Sequence, residues 1–124
     1  MHRWFMSFGG VAGSAAVALG AWGAHGLREQ LAVPMVSAFE TAAQYHLLHA
    51  LALVVTGSLL QGRPQSLWLK LAGGMFVSGI LFFSGGLYLL SAAGWHSAGM
   101  VIPIGGVALM LGWLFLAAGT LTGR

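Results

Sequence analysis

The chain has 124 residues, 58% of them hydrophobic and only 6% charged, where soluble domains carry about 25% charged residues. A chain this short and this poor in charge points to lipid as its solvent, and its length suits one domain spanning residues 1–124. The net charge of +3 comes from five isolated Lys/Arg, which excludes a basic nucleic-acid-binding stripe, and the lack of cysteine excludes disulfides, thiolate metal sites and cysteine redox chemistry.

Four apolar segments follow one another, each near the ~20 residues that a membrane span needs. The first covers residues 4–24. Arg3 and the small residues near Ala24 give it some likeness to a secretory signal, but its apolar stretch of 21 residues is long enough to span, so it reads as a helix. The second covers residues 34–60, with a polar early part and Pro34 suited to a first helical turn. Gln61-Gly62-Arg63-Pro64 is a stop and turn. The third helix falls within 67–93 and the fourth within 98–122, with Pro103 either in the first turn or at a kink. The expected architecture is an all-α integral membrane protein, an antiparallel four-transmembrane-helix bundle.

Arg3, Arg63, Lys70 and Arg124 lie on one side of this arrangement, and Arg28 alone on the other. The positive-inside rule then puts both termini in the cytoplasm. The expected location is the plasma membrane, the inner membrane of a bacterium. Trp4, Trp22, Trp68, Trp95 and Tyr88 sit near span ends, as an aromatic belt would.

Glycine accounts for 20 residues. In the first helix Gly9, Gly13, Ala16, Gly20 and Gly23 recur every three or four residues. Together with Gly85, Gly105 and Gly106 they are the expected packing positions, because small residues let helix backbones approach in lipid. The same stripes suit a homo-oligomer.

The polar residues concentrate at one end of the second helix. Glu40 falls near the outer interface and His49 near the bilayer middle. Glu40 and Gln44 share one face, while Tyr45, His46 and His49 share a broader face roughly opposite. His25 between glycines, Ser84 and Tyr88 complete the candidate polar cluster. Ionisable groups at depth face protein or water. Three chemistries fit: a proton relay through His46, His49 and Glu40; a metal bound by His46, His49 and His25; or interhelical hydrogen bonds that hold the bundle. Two histidines on one helix are a weak metal signal, and haem would need ligands on opposite sides of the iron. The last chemistry is the expected one, with Tyr45, His46 and His49 turned inward and Ser84 as their partner. Glu40 reaches interfacial water or Arg28. No catalytic residue, metal or cofactor is assigned, and no carboxylate stands near Ser84 to build a hydrolase triad.

Gly20-Ala21-Trp22-Gly23-Ala24-His25-Gly26-Leu27, Thr41 with Tyr45-His46 and His49-Ala50-Leu51-Ala52, Leu81-Phe82-Phe83-Ser84-Gly85-Gly86-Leu87-Tyr88, and Pro103-Ile104-Gly105-Gly106 with Gly112-Trp113 form four ordered motifs across the chain. In these it resembles the YgdD-like group, domain of unknown function 423, which includes transmembrane protein 256 of animals. The resemblance implies a small four-helix membrane protein and no particular activity. The leading functional class is then a non-enzymatic protein that binds or conducts a small solute or lipid between its helices. An accessory subunit of a membrane complex and an enzyme or relay built on His46 and His49 are the rival classes.

Overall fold

The computed structural model describes residues 1–122, so Arg124, one of the charges behind the expected orientation, lies outside the described residues. Among these residues four helices are long and apolar enough to cross a membrane. Helix α1 runs His2–His25 and α2 runs Val33–Gly62, joined by a short 3-10 turn at Leu27–Glu29. Helix α3 covers Leu67–Ser91 and α4 covers Ile102–Thr122. A 3-10 turn, His96–Met100, leads into α4.

Local chemistry explains the ends. Pro34 occupies the first turn of α2, where its missing N–H costs nothing. The Ser66 hydroxyl caps α3 by accepting from the Leu69 N–H at 3.3 Å. After α3 the chain reverses at Gly94, whose φ of +69° favours glycine. Pro103 is the second residue of α4, so it starts this helix and does not kink it. At the opposite end the Arg63 guanidinium donates to the Gly119 carbonyl at 2.8 Å. That satisfies a carbonyl in the last turns of α4 and puts positive charge at the negative end of its dipole.

Helix α1 packs along α2, α3 packs along α4, and the two pairs meet through α2 and α3. The registers are antiparallel. Gly9 lies against Ala50 and Val54, Gly20 against Ala43, and Gly23 against Phe39. On the other side Gly79 lies against Leu109, Gly105 against Phe83, and Gly119 against Leu69. Phe5, Leu53, Leu60, Leu69, Phe76 and Leu109 fill the core where the pairs join.

The glycines sort into two kinds. A methyl group on Gly9 would come within 2.6 Å of Val54 and 2.9 Å of the Ala50 carbonyl, so the backbones touch there. Gly105 is tighter still, because its added carbon would overlap the backbone of Phe82 and Phe83. Gly23, Gly57, Gly73, Gly79, Gly86, Gly112 and Gly119 also lie in close contact. Gly13 and Gly20 face the β-carbons of Ala50 and Ala43 at 3.9 and 3.8 Å, an ordinary separation. Gly85 and Gly106, also expected as packing positions, are of this second kind; their nearest atoms would lie 4.0 and 3.6 Å from an added carbon. The spacing of small residues marks a face of a helix but not the distance of its neighbour.

Helix α3 departs from α geometry at Ile80–Ser84, where it widens into a π-helical turn. The Gly85 N–H reaches back five residues to the Ile80 carbonyl. This turn is where Gly105 of α4 meets α3.

These contacts predict opposite outcomes for one added methyl. Gly105→Ala should destabilise the protein by about 3 kcal/mol, because backbone cannot yield as a side chain can. Gly13→Ala should change stability by less than about 1 kcal/mol. Thermal unfolding in mild detergent checks both, and equal effects would contradict the packing described.

Candidate functional site

Helix α2 carries its ionisable residues between Glu40 and His49, and its two buried histidines engage different helices. His49 is 3% exposed and lies nearly level with Ala50, which stands opposite Gly13 near the midpoint of α1. Its Nδ1 lies 2.7 Å from the Tyr45 carbonyl one turn earlier, and its Nε2 lies 3.0 Å from the indole nitrogen of Trp113 on α4. A carbonyl only accepts and an indole N–H only donates. These partners assign the tautomer: Nδ1 carries the proton and donates to Tyr45, while Nε2 accepts from Trp113. Both nitrogens are occupied, so a metal at Nε2 would have to displace Trp113.

His46, 7% exposed, faces α3. Its Nδ1 and the Tyr88 hydroxyl form a hydrogen bond of 2.9 Å. Tyr88 also packs on Phe39, with ring centroids 5.0 Å apart. An aromatic chain of Tyr45, His49, Phe76 and Trp113 surrounds the first histidine, with centroid separations of 5.3 to 5.9 Å.

The expected inward cluster is therefore divided. Tyr45 is not buried; it is 43% exposed, with its ring stacked on His49 and tilted against Phe83 at 5.0 Å. Ser84 is not the partner of either histidine. It is 1% exposed, and its hydroxyl is the one fully buried side-chain polar atom without a hydrogen bond among the described residues. The imidazoles bond Tyr88 and Trp113 instead, and the buried Ser84 hydroxyl is left without a partner at a cost of about 1–3 kcal/mol. His25, Glu40 and Gln44 are exposed, and neither Glu40 nor Gln44 makes a side-chain hydrogen bond among the described residues. No group of three His, Cys, Asp or Glu side chains close enough to hold a metal occurs among the described residues. His25 thus does not join His46 and His49.

Trp113 is the residue of this cluster that spacing alone misses. One signal was available. Four of the five tryptophans lie near span ends, but Trp113 lies about the middle of the fourth. An indole N–H in hydrocarbon needs an acceptor, and His49 is the nearest in depth.

Because the helix pairs meet mainly through α2 and α3, two lateral grooves remain. One, of about 410 Å³, opens between α2 and α4 and is lined by Gln44, Tyr45, His49, Phe83, Gly106 and Trp113, among others. The other, of about 280 Å³, lies between α1 and α3 and is almost wholly apolar, bordered by His46, Gly85 and Tyr88. Gly106 lines the first of these grooves and Gly85 the second.

Sequence comparison agrees with the architecture. Residues 19–106 match the family model described as protein of unknown function, DUF423. Over 117 residues the chain is 40% identical to a UPF0382 membrane protein of Staphylococcus epidermidis, covering 94% of both chains. It is 36% identical over 112 residues to UPF0382 membrane protein YwdK of Bacillus subtilis, covering 90% of this chain and 91% of that one. It is 30% identical over 119 residues to UPF0382 inner membrane protein YgdD of Escherichia coli K12, covering 96% and 90%. No solved structure matches.

A double-mutant cycle tests the clamp on His49. His49→Leu and Trp113→Phe should be coupled by about 0.6 kcal/mol, up to ~1.7, the range for hydrogen bonds between membrane helices. His49→Ala should be worse than His49→Leu by about 2 kcal/mol, since it adds a cavity to the orphaned indole N–H. Additive single effects in detergent unfolding would refute the bond.

Proposed function

The chain belongs to the DUF423 family of membrane proteins, and we propose that it is a non-enzymatic plasma-membrane protein holding an amphipathic, lipid-phase molecule between α2 and α4. The groove beside Tyr45, Phe83 and Trp113 carries this reading. Its volume of about 410 Å³ falls in the range of small-molecule sites, roughly 300–1,000 Å³. It opens sideways, toward the acyl chains, and not through the long axis of the bundle. Aromatic walls and Met110 suit a flat ring or an alkyl chain, and the exposed Tyr45 hydroxyl suits one carbonyl or hydroxyl on that molecule.

Conduction fits less well. A solute path needs polar groups in series through the interior. Here the nitrogens of His49 are both engaged, His46 is turned to Tyr88 on another side of α2, and apolar side chains fill the junction between them and the far end. Metal or proton chemistry on His49 would likewise have to break the clamp that positions it.

Gly106 offers a clean test. A β-carbon there would meet only the Phe83 ring, at 3.6 Å, so a larger side chain can grow into the groove without striking backbone. Wild-type protein released from membranes in mild detergent should carry a bound lipid-sized mass in native mass spectrometry. Gly106→Leu should lose that mass with unchanged melting. A wild type without adduct, or a variant that keeps it, overturns the proposal.

The proposed orientation, with both termini in the cytoplasm, rests on the four-to-one division of Lys and Arg. The UPF0382 relative from Escherichia coli is named an inner membrane protein, which supports the same membrane here. A reporter fused after residue 124 should read cytoplasmic and one inserted at residue 30 external. The reverse result would overturn the orientation.

A further inference from the structure

Gln44 presents a different problem from the buried histidines. Ala50 stands opposite Gly13, near the midpoint of α1, and so marks the middle of the bundle. At 1.5 Å per residue Gln44 lies about 9 Å from that level and Glu40 about 15 Å. The hydrocarbon half-thickness is about 15 Å, so Glu40 reaches the headgroups while Gln44 stays in hydrocarbon. Its side chain is exposed and makes no hydrogen bond among the described residues. An amide facing acyl chains has two donors and an acceptor without partners, which lipid tails cannot supply.

The surface beside it is shaped in a matching way. Leu47 and Leu51 follow Gln44 on the outer face of α2, 46% and 61% exposed. Next to them runs a groove of about 280 Å³ whose α1 side is Gly9, Gly10, Gly13, Ser14 and Val17. A β-carbon on Gly10 would meet nothing within 4 Å. Knob and hole thus sit side by side on one face, as a two-fold contact between identical surfaces requires.

We infer that the outer face of α1 and α2 pairs with a second copy of this chain about an axis along the membrane normal. Leu47 and Leu51 of each copy enter the Gly10–Ser14 groove of the other, and the two Gln44 amides bond reciprocally. Copies sharing one orientation place Gln44 at equal depth, so the amide meets the group that complements it, carbonyl to N–H in both directions. A lipid chain would fill the groove but leave the amide unpaired. The pairing does not rest on the ligand reading, since Gly10 borders the groove on the α1 side of α2 and Gly106 the one on the α4 side.

The chain has no cysteine, so a single introduced thiol reports the contact. Leu51→Cys in native membranes, oxidised with copper phenanthroline, should give a species of twice the chain mass. Leu114→Cys, exposed on α4, should not. Adding Gly10→Ile should abolish the cross-link with melting unchanged, because the protomer has room for it. Adding Gln44→Leu should weaken dimerisation at least about threefold in photobleaching counts at fixed protein-to-lipid ratio. Equal cross-linking at Leu114→Cys, a cross-linked mass that includes another protein, or a dimer that survives Gly10→Ile would each overturn the inference.

Discussion

Hydrocarbon supplies neither hydrogen-bond partners nor a hydrophobic force between helices, and the rest of this structure follows from that constraint. Attraction must come from close approach of backbones, which only positions without a side chain permit. Gly9 and Gly23 bring α1 onto α2, and Gly79, Gly105, Gly112 and Gly119 bring α4 onto α3. Two tightly joined hairpins result, meeting along α2 and α3. Grooves between α1 and α3 and between α2 and α4 are the geometric remainder of that choice.

The same constraint governs the polar groups. His49 is held between an acceptor on its own helix and a donor on α4, so one imidazole ties the two hairpins together at mid-depth. His46 ties them again through Tyr88, toward the opposite groove. Each bond is modest in free energy, but its loss would strand a polar group where no water can replace the partner. Bonds of this kind specify which faces meet more than they stabilise the contact.

The π-helical turn at Ile80–Ser84 is where the packing is tightest and the polar accounting incomplete. Gly105 presses on the backbone of Phe82 and Phe83, and one residue further on the Ser84 hydroxyl is buried without a partner. A π turn inserts one residue into a helix and so changes which side chains face each neighbour after it. Here Phe83 is turned to Tyr45 and the α2–α4 groove, and Tyr88 to His46. The groove that carries the proposed function is therefore walled partly by an irregular turn, whose position no local pattern in Leu81-Phe82-Phe83-Ser84 announces.

Length and composition were enough to determine the solvent, the number of spans and their helical state. Those properties depend on additive quantities: apolar residues per span, and 1.5 Å of rise for each position. The same reasoning identified His46 and His49 as polar groups needing partners, because the cost of leaving them bare is set by depth alone. Which partner each one takes, and which glycines touch backbone, depended on the rotation and separation of neighbouring helices. Ser84 and Trp113 are equally plausible partners by composition, yet only Trp113 reaches His49, because α4 approaches across Gly105 and Gly112 and its indole spans the remaining gap. Likewise Gly13 and Gly105 are the same residue in similar spacing, but one faces a methyl at 3.9 Å and the other a backbone. Distances across an interface are set jointly by both helices, and only the tertiary structure brings the two together.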